Sequence, residues 1–337
     1  MDRASATICA GSSGQLSRPA TRSAPITEWP DMPRVPAGLP YANRAVDVAR
    51  QQGMLGLLPL ALRRQAMELL WNSQLDQAYA AAQEGYRLSL EVGYGSGEHL
   101  ANIASLEAVR GRTEEARRHA AEAHAIGQRR GSAFLVSAAE FTLGFIELTA
   151  GRAAEAADRL FAVTAFERSD ISPIIALSAI PDAVEAGVRA GRHQEAADRL
   201  AVFRAWVAQA PSPPRRALLA RCEALLGERP PLEAFAEAIE HGAALAPFQR
   251  ARTELLFGEW LRRERRRQEA RTHLRAALEL FRGLGSPTVP ARGRKAGTSS
   301  PEPRIISGEF NHGVRPAAEE RRPGRGLHHR RALRELQ

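Results

Sequence analysis

Along the middle of this chain one small apolar residue keeps returning in the same setting. An alanine preceded by Glu or Gln occurs at Ala78, Ala116, Ala156, Ala196, Ala234 and Ala270, at spacings of 38, 40, 40, 38 and 36 residues. Four positions beyond each comes another apolar residue: Ala82, Ala120, Leu160, Leu200, Ala238 and Leu274. Four residues is one helical turn, so both lie on one face of a helix. Gly111-Arg112, Gly151-Arg152 and Gly191-Arg192 stand just upstream of three of these alanines. Glycine there can adopt the left-handed conformation that ends a helix. Each unit therefore reads as helix, tight turn, helix, with the alanine early in the second helix, where a small side chain permits close approach.

Helix pairs of this size cannot bury their apolar faces alone and stack into a superhelix. The pattern predicts an all-α, tetratricopeptide-like solenoid of six pairs over residues 41–283. The expected second helices are 75–91, 113–130, 153–167, 193–209, 231–244 and 267–283. First helices are expected at 56–72, 96–110, 132–149, 172–190, 213–226 and 247–264, lining the concave face, with an additional helix near 41–52 starting the stack. Pro181 falls inside a first helix and is expected to kink or split it, since proline removes a backbone donor.

Composition sharpens the boundaries. Residues 1–40 hold six Pro and eight Ser or Thr and read as a disordered head or linker. Residues 284–337 read as a low-complexity, mostly disordered tail, with a short basic helix expected at 327–336. From position 283 onward the chain has 11 basic and five acidic residues, whereas 41–282 has 32 and 30. The net charge of +9 thus belongs mainly to the tail, and the body makes no general electrostatic case for nucleic acid. Lys295 is the only lysine, so the body offers no Schiff-base or phosphate-binding lysine. Cys9 and Cys222 form neither a disulfide framework nor a metal knuckle. The apolar run 54–62 is too short to span a bilayer, and a cytoplasmic protein with no membrane partner is expected.

Four stretches carry a family resemblance: Tyr41–Gly53 (YANRAVDVARQQG), Gln77–Leu90 (QAYAAAQEGYRLSL), Ala179–Arg192 (AIPDAVEAGVRAGR) and Arg250–Gly285 (RARTELLFGEWLRRERRRQEARTHLRAALELFRGLG). The region from Leu39 to Gly285 resembles the helical repeats of LuxR-type, MalT-like ATP-binding transcription regulators. The resemblance implies an effector- or partner-sensing scaffold which, in intact family members, joins an ATPase to a helix-turn-helix that binds DNA. Here no G-x-x-x-x-G-K-[ST] loop occurs and Lys295 stands in the wrong context, so no ATP site or other cofactor is expected. Residues 286–337 lack the apolar spacing of a helix-turn-helix. The likeness stops abruptly near Gly285, and the working hypothesis is a truncated or frameshifted product that does not itself bind DNA.

Candidate chemistry is sparse. Gly93-Tyr94-Gly95-Ser96-Gly97 fits neither a phosphate loop nor a nucleophile elbow and reads as a flexible inter-helix loop. Glu115, His119 and Glu122 share a helical face near His124; solvated surface charge is favoured over metal ligation. Arg262, Arg263, Arg265, Arg266 and Arg267 form the one candidate nucleic-acid contact in the body, with Arg321, Arg322, Arg325, Arg330 and Arg331 as a non-specific basic arm. The run also suits a turn that complements a helix C-terminus. Trp71, Trp206 and Trp260, with Phe141, Phe145, Phe203 and Phe257, read as packing between helices in preference to a ligand groove. Asp182 and Glu185, three apart, read as exposed surface. With no catalytic constellation, two readings stand: the sensing region of a LuxR-type regulator, or a stand-alone peptide-binding adaptor.

Overall fold

The structure is a computed structural model that describes residues 38–285. The head, the basic tail with its expected helix at 327–336, Cys9, Lys295 and the basic arm lie outside the described residues. Among the described residues there are thirteen α-helices and no strand. The first is α1 (Gly38–Gln51). Pairs follow as α2 (Leu58–Trp71) and α3 (Leu75–Val92), α4 (Ser96–Val109) and α5 (Thr113–Arg130), and α6 (Ala133–Thr149) and α7 (Ala153–Val163). Next come α8 (Pro173–Arg189) and α9 (His193–Gln209), α10 (Pro213–Leu226) and α11 (Pro231–Glu240), and α12 (Pro247–Arg263) and α13 (Arg267–Gly283). The fold is an all-α stack of helix pairs.

The turns inside the pairs repeat one device. Gly111, Gly151 and Gly191 are left-handed, with φ of 72°, 77° and 75°. The amide two positions after the last helical residue bonds back in the Schellman manner: Gly111 N–H to Ala108 O at 3.1 Å and Arg112 N–H to Glu107 O at 2.9 Å. Ser73 and Arg265 take the same left-handed place, with φ of 57° and 60°, although they carry side chains. Each stands five residues before its alanine, as the glycines do. Four helices open on proline, at Pro173, Pro213, Pro231 and Pro247. Its fixed φ suits the first turn, where its missing N–H is not needed.

The six repeating alanines are buried between the helices of each pair; Ala270 is 2% exposed and the other five 0%. A Cβ added at Gly187 of α8 would come within 2.9 Å of the Ala196 Cβ and 2.7 Å of the Phe161 ring, so these helices already pack at their closest. Leu160 and Leu200, one turn beyond their alanines, are fully buried. Each contributes roughly 1.5–3 kcal/mol by leaving water. First helices also pack on first helices of neighbouring pairs, α2 on α4, α4 on α6, α6 on α8 and α8 on α10, which makes them the inner layer.

Three local expectations are corrected. α8 is not split at Pro181; it runs unbroken from Pro173 to Arg189 with the proline buried. α7 ends at Val163 instead of 167, because the Thr164 hydroxyl turns back to the carbonyls of Leu160 (2.8 Å) and Phe161 (3.3 Å). α11 stops at Glu240 and tightens into a 3₁₀ turn over His241–Ala244.

The last pair folds back across the stack. The Phe248 N–H donates to Ser73 Oγ at 3.2 Å, joining the start of α12 to the turn between α2 and α3. The Phe248 ring meets Phe145 of α6 edge-on, with centroids 6.0 Å apart, and Phe281 of α13 at 5.8 Å. Leu284 packs against the core formed by α1, α2 and α3. The last pair thus touches the inner layer at these points.

Candidate functional site

A cluster of charged side chains sits where α8, α10 and α12 meet. From α8 come Asp182, Glu185 and Arg189, from α10 Arg221, and from α12 Arg252 and Glu259. Arg221 has no exposed surface, and Asp182, Glu185, Arg252 and Glu259 are 3–6% exposed. The expectation of an exposed Asp182–Glu185 pair is thus overturned. Their three-residue spacing does put them on one face, but that face looks inward at α12. The Arg252 guanidinium bridges them, donating to Asp182 Oδ1 and, at 2.5 Å, to Glu185 Oε2. Its plane also lies 5.5 Å from the centroid of the Phe145 ring.

The network continues outward. Arg189 Nε donates to Glu185 Oε1 at 3.0 Å, and Arg189 Nη2 to Glu259 Oε2 at 3.1 Å. Arg221 Nη1 donates to Gln249 Oε1 at 3.0 Å and Thr253 Oγ1 at 3.4 Å, while its Nε and Nη2 make no hydrogen bond. Three carboxylates thus face three guanidinium groups. Burial alone would raise the Glu185 carboxyl, but Arg252, Arg189 and Arg221 outweigh it and hold it below the usual range. Burial raises Glu259, with Arg189 opposing and Glu185 adding to the rise. The Cys222 thiol beside Arg221 is pushed up to about 12 by burial and stays neutral. Breaking such a network at one partner leaves an uncompensated buried charge, at about 3–5 kcal/mol.

The cluster is the elaborate end of a series. Every first helix carries one buried glutamate near its C-terminus: Glu68, Glu107, Glu147, Glu185, Glu223 and Glu259, each 1–7% exposed. Glu107 Oε2 lies 2.7 Å from His119 Nδ1, and the Tyr79 hydroxyl donates to its other oxygen at 3.3 Å. Glu147 accepts from Arg117 at 2.5 Å and from Arg152. Burial pulls the Glu147 carboxyl upward, but these two arginines win and hold it low. Glu223 accepts from Arg204 at 3.1 Å and Arg229 at 3.2 Å. A carboxylate near a helix C-terminus opposes the helix dipole; at Glu147, Glu185, Glu223 and Glu259 an arginine from a neighbouring element offsets this, whereas Glu68 pairs with Arg64 of its own helix. The series was readable, since a glutamate stands nine to eleven residues before each alanine. Arg221 carries no such signal.

The other sequence candidates separate. His119 turns to Glu107, while Glu115 and Glu122 point to solvent, and His124 lies 3.5 Å from Glu140. Among the described residues no three His, Cys, Asp or Glu side chains gather as a metal would need. Arg262 and Arg263 end α12, Arg265 and Arg266 form the turn and Arg267 opens α13; the half-buried Arg266 is paired with Glu269 at 2.6 Å. The buried Phe203 and half-buried Trp206 pack at 5.6 Å, and Phe257 stacks on Phe235 at 5.1 Å in the interior. Trp71, Trp260 and Phe141 are half-buried. Gly93–Gly97 is an ordered corner: Gly93 caps α3, Gly95 precedes α4, and Ser96 and Gly97 belong to α4. A cleft of about 470 Å³ lies at the other edge, between Ser73–Gln77, Arg110, Arg112 and Gly283–Gly285. No helix among the described residues is long and apolar enough to cross a membrane.

No protein-family model matches the chain, and no curated protein matches it. Among solved structures, the crystal structure of BtubC (BKLC) from P. vanneervenii matches across 80% of this chain and 100% of that one, at 16% identity and a TM-score of 0.29. A likeness that low carries no argument about role.

Proposed function

We propose that this chain is the effector- or partner-sensing helical-repeat region of a LuxR-type, MalT-like transcription regulator, a coupling scaffold rather than an enzyme. The observation that carries the reading is the closure of the last pair onto the inner layer through the α8–α12 charge cluster. A coupling module needs an element with two arrangements that a ligand can favour unequally. Here α12 and α13 form that element: polar ties run from Arg252 to Asp182 and Glu185, Arg189 to Glu259, Arg221 to Gln249 and Thr253, and Phe248 to Ser73, beside the ring contacts of Phe248 with Phe145 and Phe257 with Phe235. A ligand preferring the open form would move the C-terminal end of α13, where the family's DNA-binding domain would begin. The resembling stretches support the reading by their places: α1, α3, α8 with its turn, and the whole α12–α13 pair. The adaptor reading needs access to the first helices, and Phe248 and Arg252 of α12 lie against two of them, at Phe145 of α6 and at Asp182 and Glu185 of α8.

The decisive experiment is to sequence the locus and translate all three frames downstream of the Gly285 codon. A helix-turn-helix in any frame supports the regulator reading, and its absence from every frame overturns it. Coupling is tested separately by small-angle scattering on the full chain across a panel of small-molecule effectors. A ligand that expands the wild type, but adds nothing to an already opened Arg252→Ala chain, is the expected outcome.

A further inference from the structure

Within the α8–α12 cluster, Arg252 and Arg189 between them bond to all three carboxylates, and Arg221 bonds to none. The Arg221 side chain is wholly buried, yet only its Nη1 is engaged, with Gln249 Oε1 at 3.0 Å and Thr253 Oγ1 at 3.4 Å, both on α12. Nε and Nη2 bond to nothing in the chain. A buried guanidinium with idle donors is costly, so the closed arrangement carries a penalty at this one side chain.

The α8 carboxylates are its near neighbours. α10 packs directly on α8, and Cys222, the residue after Arg221, shares an apolar core with Ile180 and Val184 of α8. α12 reaches the same carboxylates through the long Arg252 side chain. Burial first, and the Arg252 charge next, depress the Arg221 guanidinium, while Asp182 and Glu185 act in the opposite sense. When α12 parts from α8, Arg252 leaves with it and α10 stays.

We propose that Arg221 is a standby cation: as α12 withdraws, its guanidinium releases Gln249 and Thr253 and takes up the Asp182 and Glu185 carboxylates that Arg252 gives up. The closed form leaves two Arg221 nitrogens unbonded, and the open form bonds them. Arg221 thereby narrows the gap between the two arrangements, and removing it favours closure. A merely structural Arg221, tying α10 to α12 through Gln249 and Thr253, would do the reverse. The proposal rests on α12 and α13 having two arrangements, as proposed above, and not on the regulator family.

Native-state hydrogen exchange on the full chain reads the sign. Arg221→Met keeps much of the volume and removes the charge. It should slow exchange in α12 and α13 by about 10-fold, the weight of one unsatisfied buried group. It strands nothing on α12, because Thr253 Oγ1 keeps its bond to the Gln249 carbonyl at 3.1 Å and Gln249 is half-buried. In an Arg252→Ala background the same substitution should act the other way and lower the urea midpoint, because Asp182 then has no cation. Unchanged or faster exchange in Arg221→Met overturns the proposal, as does a double variant no less stable than Arg252→Ala. Should Arg221→Met fail to fold, Arg221→Gln takes its place with the same expected signs. Failure of both to fold also overturns the proposal, since a standby cation is dispensable in the closed form. If α12 and α13 exchange only when the whole wild-type molecule unfolds, the two-arrangement reading fails, and the double variant still decides the change of partners.

Discussion

The pairs around α4 and α6 are tied to near neighbours, whereas α12 reaches far back along the chain. In the middle, Arg110 pairs with Asp76, 34 residues away, and Arg117 with Glu147, 30 residues away. In the last pair, Arg252 bridges to Asp182 across 70 residues, and the Phe248 amide to Ser73 across 175. The middle follows the nearest-neighbour logic of a solenoid, in which each pair stabilises the next. The end adds closure, so that α12–α13 depend on α2, α6 and α8 as well as on α10 and α11. Dry alanine packing holds both regions within a pair; charge holds only the second across the stack.

Arg252→Ala should separate the two regions most sharply. It strands Asp182 and Glu185, and a loss of about 4 kcal/mol is expected. Hydrogen exchange should speed first in α12 and α13, with α4–α7 protected; uniform loss along the chain would erase the contrast. Ala196→Trp attacks the shared alanine layer instead. With Gly187 and Phe161 already in contact range there, overpacking should cost about 3 kcal/mol and loosen α8 and α9 first. Unchanged thermal melting of Ala196→Trp or Ala156→Trp would refute the packing role of these alanines.

Acid probes the middle. His99 of α4 is buried, with Nε2 3.1 Å from the Pro59 carbonyl, and burial lowers its pKa to about 4 from 6.5. Because the folded value is depressed, the unfolded chain binds the proton first. Stability is intact above pH 6.5 and falls as pH drops towards 4, by roughly 2–3 kcal/mol. His99→Gln should flatten that slope in denaturant titrations at several pH values. Glu147 and Glu185, both held low, extend the acid loss below the ordinary carboxylate range. The smallest effect is a gain. Arg265→Gly should relieve a left-handed residue and raise stability by about 1 kcal/mol. An unchanged Tm would refute the strain assigned to the left-handed Arg265.

The helix pairs were legible because their signals are local. Six alanines, the glycine-arginine turns and the opening prolines each act within a few residues, and the helices fall within a few residues of where these marks put them. The outcome for Asp182 and Glu185 was not legible, because their burial depends on Arg252, which no local spacing links to them. The same holds for the contact of α12 with the inner layer, which is set by how far the superhelix turns over five pairs. Ser73 and Arg265 fall between these cases. Their distance from Ala78 and Ala270 marks the turn, but their side chains conceal a conformation that glycine would advertise.

Cys222 gives the inner layer a clock. It is fully buried in the apolar core that α8, α9 and α10 share, with Ile180, Val184, Leu200 and Phe203, and it is the only cysteine among the described residues. A neutral thiol that no reagent can reach reacts only when the structure around it opens. The alkylation rate at this sulfur therefore reads how often α8, α9 and α10 part. A ligand that shifts the equilibrium would change the tempo of a single chemical event.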